Sequence, residues 1–198
     1  MTTDTELMLD VGQANELKLA ARRCGYTNAD LKLLSEGDTM ARILPVLRGQ
    51  AEVTIVNHVI DLDAPPLIPY DGWSVEEHKP GGQFKWDPTK INLYLSPNQQ
   101  GGKSIEGHKL RAELVNQPVM NANLLDYLLA HPHLIPEDWK RDAEGNTRFV
   151  HFWGTIYRNS GRDLCVRYLF WDGGRWQAGC NWLGSGWPVR YPAARLAN

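Results

Sequence analysis

FVHFWGTIYRNSGRDLCVRYLFWDGGRWQAGCNWLGSGW, residues 149–187, is the stretch whose pattern decides the fold. Three aromatic and β-branched runs, FVHFWGTIYR, LCVRYLFW and RWQAGCNWL, are separated by the turn segments NSGRD and DGG. Short runs of this composition bounded by Gly, Asn, Asp and Ser read as strands. Asp172-Gly173-Gly174 between two aromatic runs is a hairpin signal, so the stretch predicts an antiparallel meander. Its third run opens a tail in which Trp176, Trp182 and Trp187 recur at spacings of six and five. Each large aromatic buries about 150–250 Å², so such a series marks a fixed scaffold. The residues between follow neither period 2 nor period 3.6. A rigid frame that holds arbitrary side chains suits an adaptable binding surface.

The tail has a second property. From Ala178 onward, every residue except Trp182 and Trp187 belongs to the set encoded by codons ending in a pyrimidine. Lys, Glu, Gln and Met are absent there, although Lys140 and Glu144 lie not far upstream. Randomising both adenines of an AAC or AAT codon generates that set. TGG, the Trp codon, contains no adenine and passes through such randomisation unchanged.

Working outward, residues 12–50 read as helical. Leu17, Leu19 and Ala20 begin an apolar face that Gly25 breaks; Asn28 is expected to cap a second helix and Asp38 a third. Residues 51–62, AEVTIVNHVIDL, predict a strand, followed by an irregular Pro-rich connection through Gly72. Ile91 to Leu95 alternates as a strand and ends at Ser96-Pro97. GHKLRAELV and NANLLDYLLA predict two helices, the second capped by Asn121 or Asn123. The expected order is a helical module, then β, α, α and the meander.

With 198 residues, 42% hydrophobic and 22% charged, the chain suits one globular domain plus a small module. A net charge of −2 supplies no global field to recruit nucleic acid or acidic membranes. Neither a signal-peptide pattern nor a spanning apolar run is present, so the chain is expected to be cytoplasmic by default, with display on a phage or cell surface left open. Cys24, Cys165 and Cys180 are odd in number and widely spaced, which argues against a disulfide framework.

The blocks WDPTKINLYLS, IEGHKLRAEL, NANLLDYLLAHPHLIPEDWK, FWGTIYR, LCVRYLFWDGGRW and the spaced WL, W, PA and LAN of the tail resemble the variable proteins of diversity-generating retroelements. In those bacterial, archaeal and phage systems an error-prone reverse transcriptase replaces adenines near the 3′ end of a target gene. The resemblance covers roughly residues 51–198. It implies an α+β chain with an N-terminal helical module over residues 1–50 and a C-type-lectin-like domain over 51–198, diversified from about 165 to 198. Carried over by position, Trp153, Trp171, Trp176, Trp182 and Trp187 would be retained scaffold, with Leu183 and Pro192. The ligand-facing set would be Ala178, Gly179, Cys180, Asn181, Gly184, Ser185, Gly186, Val189, Arg190 and Tyr191, with Tyr168, Phe170 and Asp172 added from the preceding hairpin. The partner would be a protein or other macromolecule; no cofactor and no metal is implied.

Three rival readings have residues behind them. Ala21, Gly25 and Leu31 sit at helix-turn-helix positions, which makes a DNA-binding regulator the alternative function. Asp30 and Glu36 against Lys32 are a poor approach to phosphates. Glu76, Glu77 and His78, Asp61 and Asp63, and His131 and His133 could suggest a metal site, yet adjacent residues of an extended segment point to opposite faces and no metal-binding spacing occurs. Cys165 with His151, or Glu76 with Glu77, could be written as a catalytic pair, but nothing orients either. A non-enzymatic binding protein is therefore expected.

Overall fold

The computed structural model describes residues 9–53 and 57–197 and divides the chain into two units, Met1–Val56 and Asn57–Asn198. The chain is mixed α+β. No helix among the described residues is long and apolar enough to cross a membrane.

In the first unit, α1 (Val11–Arg23) starts with a capping box between Asp10 and Gln13. The second helix, α2 (Asn28–Ser35), is capped by Thr27, one residue earlier than expected. Thr27 Oγ1 accepts from the Asp30 amide at 3.3 Å while the Asp30 carboxylate accepts from the Thr27 amide at 2.7 Å. That reciprocal pair takes Asn28 into the first turn. The third helix, α3 (Thr39–Leu47), follows Asp38, whose side chain makes no cap hydrogen bond. No described residue of this unit is buried, and Leu17, Leu33, Met40 and Leu47 are all exposed.

The second unit begins with β1 (Val59–Asp61), which pairs with β3 (Gln83–Lys85). The strand expected over 51–62 is thus confined to its last third; residues 54–56 lie outside the described residues. Between β1 and β3 runs β2 (Ser74–His78). There follow β4 (Ile91–Tyr94), β5 (Ile105–Glu106), α4 (Gly107–Leu114), α5 (Ala122–Ala130) and the meander of β6 (Phe149–Arg158), β7 (Leu164–Trp171) and β8 (Trp176–Trp182). Asn121 caps α5, its side chain accepting from the Asn123 amide at 3.2 Å. The short β9 (Gly186–Trp187) pairs with β5, and β10 (Ala193–Leu196) ends the chain's regular structure.

The main sheet runs β4-β10-β6-β7-β8, with β2 also on β6. Strand β10 lies antiparallel to β4 and parallel to β6, so the tail is drawn back between the unit's early strand and its meander. Residues Val150 to Tyr157 of β6 are buried throughout, as a strand covered on both faces must be. Side-chain alternation then splits the core. Val150, Phe152 and Leu169 pack with Leu124, Leu125 and Leu128 of α5. Trp153, Ile156 and Val166 pack with Leu110, Leu114, Leu183 and Trp187.

The second core closes at Gly107. A Cβ there would meet the Trp187 indole nitrogen and lie 2.6 Å from the Leu183 carbonyl oxygen and 2.7 Å from its Cα. Backbone cannot yield as a flexible side chain does. Gly107→Ala is expected to destabilise the fold by at least about 1–3 kcal/mol, as overpacking does, whereas Gly184→Ala, which meets nothing within 4 Å, should be near neutral. Urea denaturation of the two variants checks this; equal midpoints would contradict it.

Candidate binding surface

The residues expected to face a ligand occupy four places, with Asp172 apart from them in the β7–β8 hairpin. The first is the β7–β8 face shared with Phe149. Cross-strand register places Tyr168 opposite His151 and Gly179, and Phe170 opposite Phe149 and Gln177. The Phe149 ring lies 5.5 Å from Phe170, 5.4 Å from Tyr168 and 5.3 Å from Tyr191, and the Arg190 guanidinium stands 5.9 Å from it. Tyr168, Phe170 and Tyr191 are half-buried and Arg190 is exposed. Asn181 shares this face, with its side-chain nitrogen buried. Gly179 is the seat of Tyr168: a Cβ there would come within 2.5 Å of the Tyr168 hydroxyl oxygen and 2.6 Å of Cζ. Any larger residue at 179 must push that ring aside, so the two positions are coupled.

Ala178 and Cys180 point to the other face, contrary to a single surface. Ala178 packs at the margin of the α5 core, and Cys180 lies with Cys165, Trp73 and Val75. Period-2 alternation forces this split on any run of consecutive variable strand residues. Since β8 is the edge strand, residues Trp176 to Asn181 are half-exposed on both faces. Cys165 and Cys180, distant in sequence, are neighbours here and remain free thiols. Cys165 donates to Cys180, and this bond and burial push its thiol up, while Cys180 is drawn down by accepting it. Alongside, buried Arg167 makes a bidentate pair with Asp126 at 2.9 and 2.7 Å.

Gly184 and Ser185 lie in the turn after β8, closed by the Ser185 amide donating to the Trp182 carbonyl at 3.0 Å, and Gly186 opens β9. Gly184 and Gly186 are exposed. Val189, Arg190 and Tyr191 form the last place. Their backbone is fixed from below: the Phe149 amide donates to the Arg190 carbonyl and the His151 amide to the Pro192 carbonyl, both at 2.9 Å. Buried Gln99 donates to the carbonyls of Pro188 and Tyr191 at 3.2 and 3.0 Å. The path of this loop therefore depends on main-chain partners while Val189 and Arg190 project outward. Asp172, exposed in the hairpin, is committed to its turn, accepting from the amides of Gly174 at 3.1 Å and Arg175 at 2.9 Å.

Of the expected scaffold, Trp153 and Trp187 are buried, their rings 4.6 Å apart. Trp171 and Trp176 are half-buried and meet edge to face at 5.6 Å, with the Lys140 ammonium 3.9 Å above Trp171. Trp182 departs from the expected frame: it is 37% exposed and packs on Trp73 at 5.7 Å. Its place on the edge strand leaves one ring face without a neighbouring strand. Phe149, His151, Tyr70 and Trp73 were not among the expected site residues. Tyr70 and Trp73 carried one signal, two large aromatics in a Pro-rich connection with no period to bury them.

The rival constellations disperse. Glu76 pairs with Arg158 at 2.8 Å, Glu77 pairs with Arg111, and His78 bonds Thr155 Oγ1 at 2.8 Å. The Asp63 carboxylate accepts from the amides of Gly81 and Gly82, both at 2.9 Å. His131 and His133 gather around His58, their rings 5.6 and 6.1 Å from it. Among the described residues no three His, Cys, Asp or Glu side chains are placed to hold a metal ion. Cys165 and His151 lie on opposite faces of the sheet, as their partners Tyr157 and Tyr168 show. In α2, Lys32 is 3.7 Å from Glu36.

Beneath the aromatic face lies His151, 4.4 Å from Trp187 and 5.1 Å from Tyr168. It is fully buried, and neither ring nitrogen has a hydrogen-bond partner among the described residues. Burial pushes its pKa down to about 3; the backbone of Phe149 and Pro192 pulls the other way, without forming a hydrogen bond of good geometry.

No protein-family model, no curated protein and no solved structure matches the chain.

Two measurements follow from this geometry. His151 stays neutral in the fold but regains its ordinary value of 6.5 when unfolded. The unfolded chain then binds more protons between pH 6.5 and about 3, so stability falls as pH drops through that window, by about 1.4 kcal/mol per pH unit. Unfolding free energies from pH 7 to 4.5 should show that slope and His151→Phe should flatten it; an unchanged slope would contradict the assignment. Trp187→Ala should destabilise by about 3–5 kcal/mol and Trp182→Ala by less than half as much, read by denaturant titration. Equal losses would return Trp182 to the frame.

Proposed function

We propose that this chain is a ligand-binding display protein whose C-terminal surface is diversified by adenine-directed retroelement mutagenesis. The domain over residues 51–198 is read as C-type-lectin-like, and the ligand as a protein or other macromolecule. The order of short strands, two helices and a terminal antiparallel meander supports that fold. The chemistry is binding rather than catalysis, since the two candidate catalytic pairs are an opposed Cys and His and two carboxylates each paired with its own arginine.

One observation carries the reading. Residues whose types fit randomised AAC or AAT codons include Gly184, Gly186, Val189 and Arg190, all exposed, on a backbone held by main-chain bonds and buried Gln99. Interleaved with them is Trp187, whose codon has no adenine to change, and it is fully buried. Over residues 184–190 codon chemistry and burial thus separate the same residues, whereas at 182 and 183 they part, Trp182 being exposed and Leu183 buried. Substitutions at exposed positions away from special features cost about 0.5 kcal/mol or less, so a surface of this kind tolerates repeated replacement. A catalytic group in the same segment would be lost at each round.

Sequencing this locus across many sibling cells, with the DNA just downstream, tests the proposal. Substitutions confined to adenine positions of one near-repeat, with a reverse transcriptase gene nearby, are expected. An invariant tail without a template repeat would overturn it.

A further inference from the structure

Trp182 leaves the buried frame to complete an aromatic row whose other members lie far upstream. Tyr70 and Trp73 come from the connection between β1 and β2. Ring centroids step 4.9 Å from Tyr70 to Trp73 at an interplanar angle of 56°, then 5.7 Å to Trp182 at 50°. Tyr70 is 55% exposed, and Trp73 is half-buried over Cys165 and Tyr157. Each end of the row opens into a depression. At Tyr70 a hollow of about 160 Å³ is lined by Leu67, Pro69, Ala178 and Cys180. At Trp182 a wider one of about 540 Å³ is lined by His108, Arg158, Arg162, Gly184 and Ser185.

We propose that the Tyr70–Trp73–Trp182 row is a docking groove for an extended, proline-containing segment of a partner protein, with an acidic side chain lying at the Trp182 end. This rests on the reading of the chain as a binding protein and is independent of whether its tail is diversified.

Ring geometry selects the occupant. Flat ligands such as bases stack on aromatic faces they can lie parallel to, whereas rings packed on one another at 4.9 and 5.7 Å and tilted by 50–56° present a ridged apolar surface. Pyrrolidine rings pack against such a surface, and aromatic-lined grooves are the recurring way in which proline-rich segments are held. The two steps bring three rings within about one turn of a polyproline II helix, ~9 Å. That helix has no internal hydrogen bonds, so its carbonyls are open to donors. Tyr and Trp are the ring types that carry one. The segment is also partly ordered before it binds, which lowers the entropic cost of docking.

Charge fixes the polarity. Two arginines and Asp163 line the Trp182 end. Glu76 neutralises Arg158 at 2.8 Å, while Arg162 has no carboxylate in salt-bridge range among the described residues and its side chain is exposed. At the other end Arg167 is already occupied by Asp126. A carboxylate on the partner therefore finds its counter-ion beside Trp182. Gly184 and Ser185 flank that end and Ala178 and Cys180 the other, so a constant anchor would sit between positions that tune the fit.

Fluorescence anisotropy of labelled decapeptides titrated with the full chain tests the proposal. The probes are an acidic proline-rich peptide, a neutral proline-rich peptide, and the acidic peptide with every proline changed to alanine. The acidic proline-rich probe should saturate below about 1 mM and outbind the alanine probe at least tenfold. Trp182→Ala and Tyr70→Ala should each weaken it tenfold or more, and Arg162→Ala should reduce it to the level of the neutral probe. Tyr70 lies on a connection outside the sheet, so its variant reports on the groove even where Trp182→Ala perturbs folding. Absence of saturation, equal binding of the alanine probe, or undiminished binding by the Tyr70 variant would overturn the proposal. So would a concentration-dependent dimer that Trp182→Ala abolishes, which would make the row a self-association face. An invariant gene tail would sink diversification and leave this titration unaffected.

Discussion

The indole of Trp187 is the contact on which the C-terminal half of the domain depends. It is fully buried, 4.6 Å from Trp153 and 4.4 Å from His151, and it presses on the one position, Gly107, where the α4 backbone can come close enough. Because Trp187 belongs to a two-residue strand paired with Ile105, anchoring the ring also anchors the turn before it and the loop after it. The loop is then bonded onward to β6 through the carbonyls of Arg190 and Pro192. Burial of this large aromatic is one contribution to holding a segment that has almost no regular structure of its own, beside buried Leu183, Gln99 and the main-chain bonds.

That arrangement separates two tasks that usually compete. Order in residues 183–192 comes from Leu183, Trp187, Gln99 and main-chain hydrogen bonds, none of which involves the side chains of Val189 or Arg190 or needs one at 184. Those positions are exposed, as the proposed binding role requires. The edge strand β8 achieves less of this separation. Its alternation sends Ala178 and Cys180 against packed neighbours and sets Gly179 under Tyr168, so variation there changes the frame as well as the surface. The aromatic row at Tyr70, Trp73 and Trp182 borders both regions and gives them a constant apolar element between.

Legibility in the sequence followed the range of the forces involved. The meander and its hairpin were readable because alternation and turn chemistry are local, and α5 because NANLLDYLLA carries its own cap and apolar run. The cap of α2 was misplaced by one residue because Thr27 with Asp30 competes with Asn28 for the same role. The exposure of Trp182 was not readable, since nothing local distinguishes an edge strand from a central one. Nor was the place of Phe149 and His151 beneath the tail, which depends on β10 inserting beside β6. The codon pattern picks out which tail residues are proposed to vary but is blind to which way they point, so a list that looked like one surface divided into several places.

A diversified tail requires that its outward side chains be exchangeable while the frame stays intact. The most direct test is the thermal unfolding of a pool in which Gly184, Ser185, Val189 and Arg190 are replaced together by random residues of the pyrimidine-ending set. Melting temperatures within a few degrees of the parent for most members are predicted, since each exposed replacement shifts stability by about 0.5 kcal/mol or less. Loss of cooperative unfolding across the pool would contradict it, because these side chains would then belong to the structure that holds Trp187.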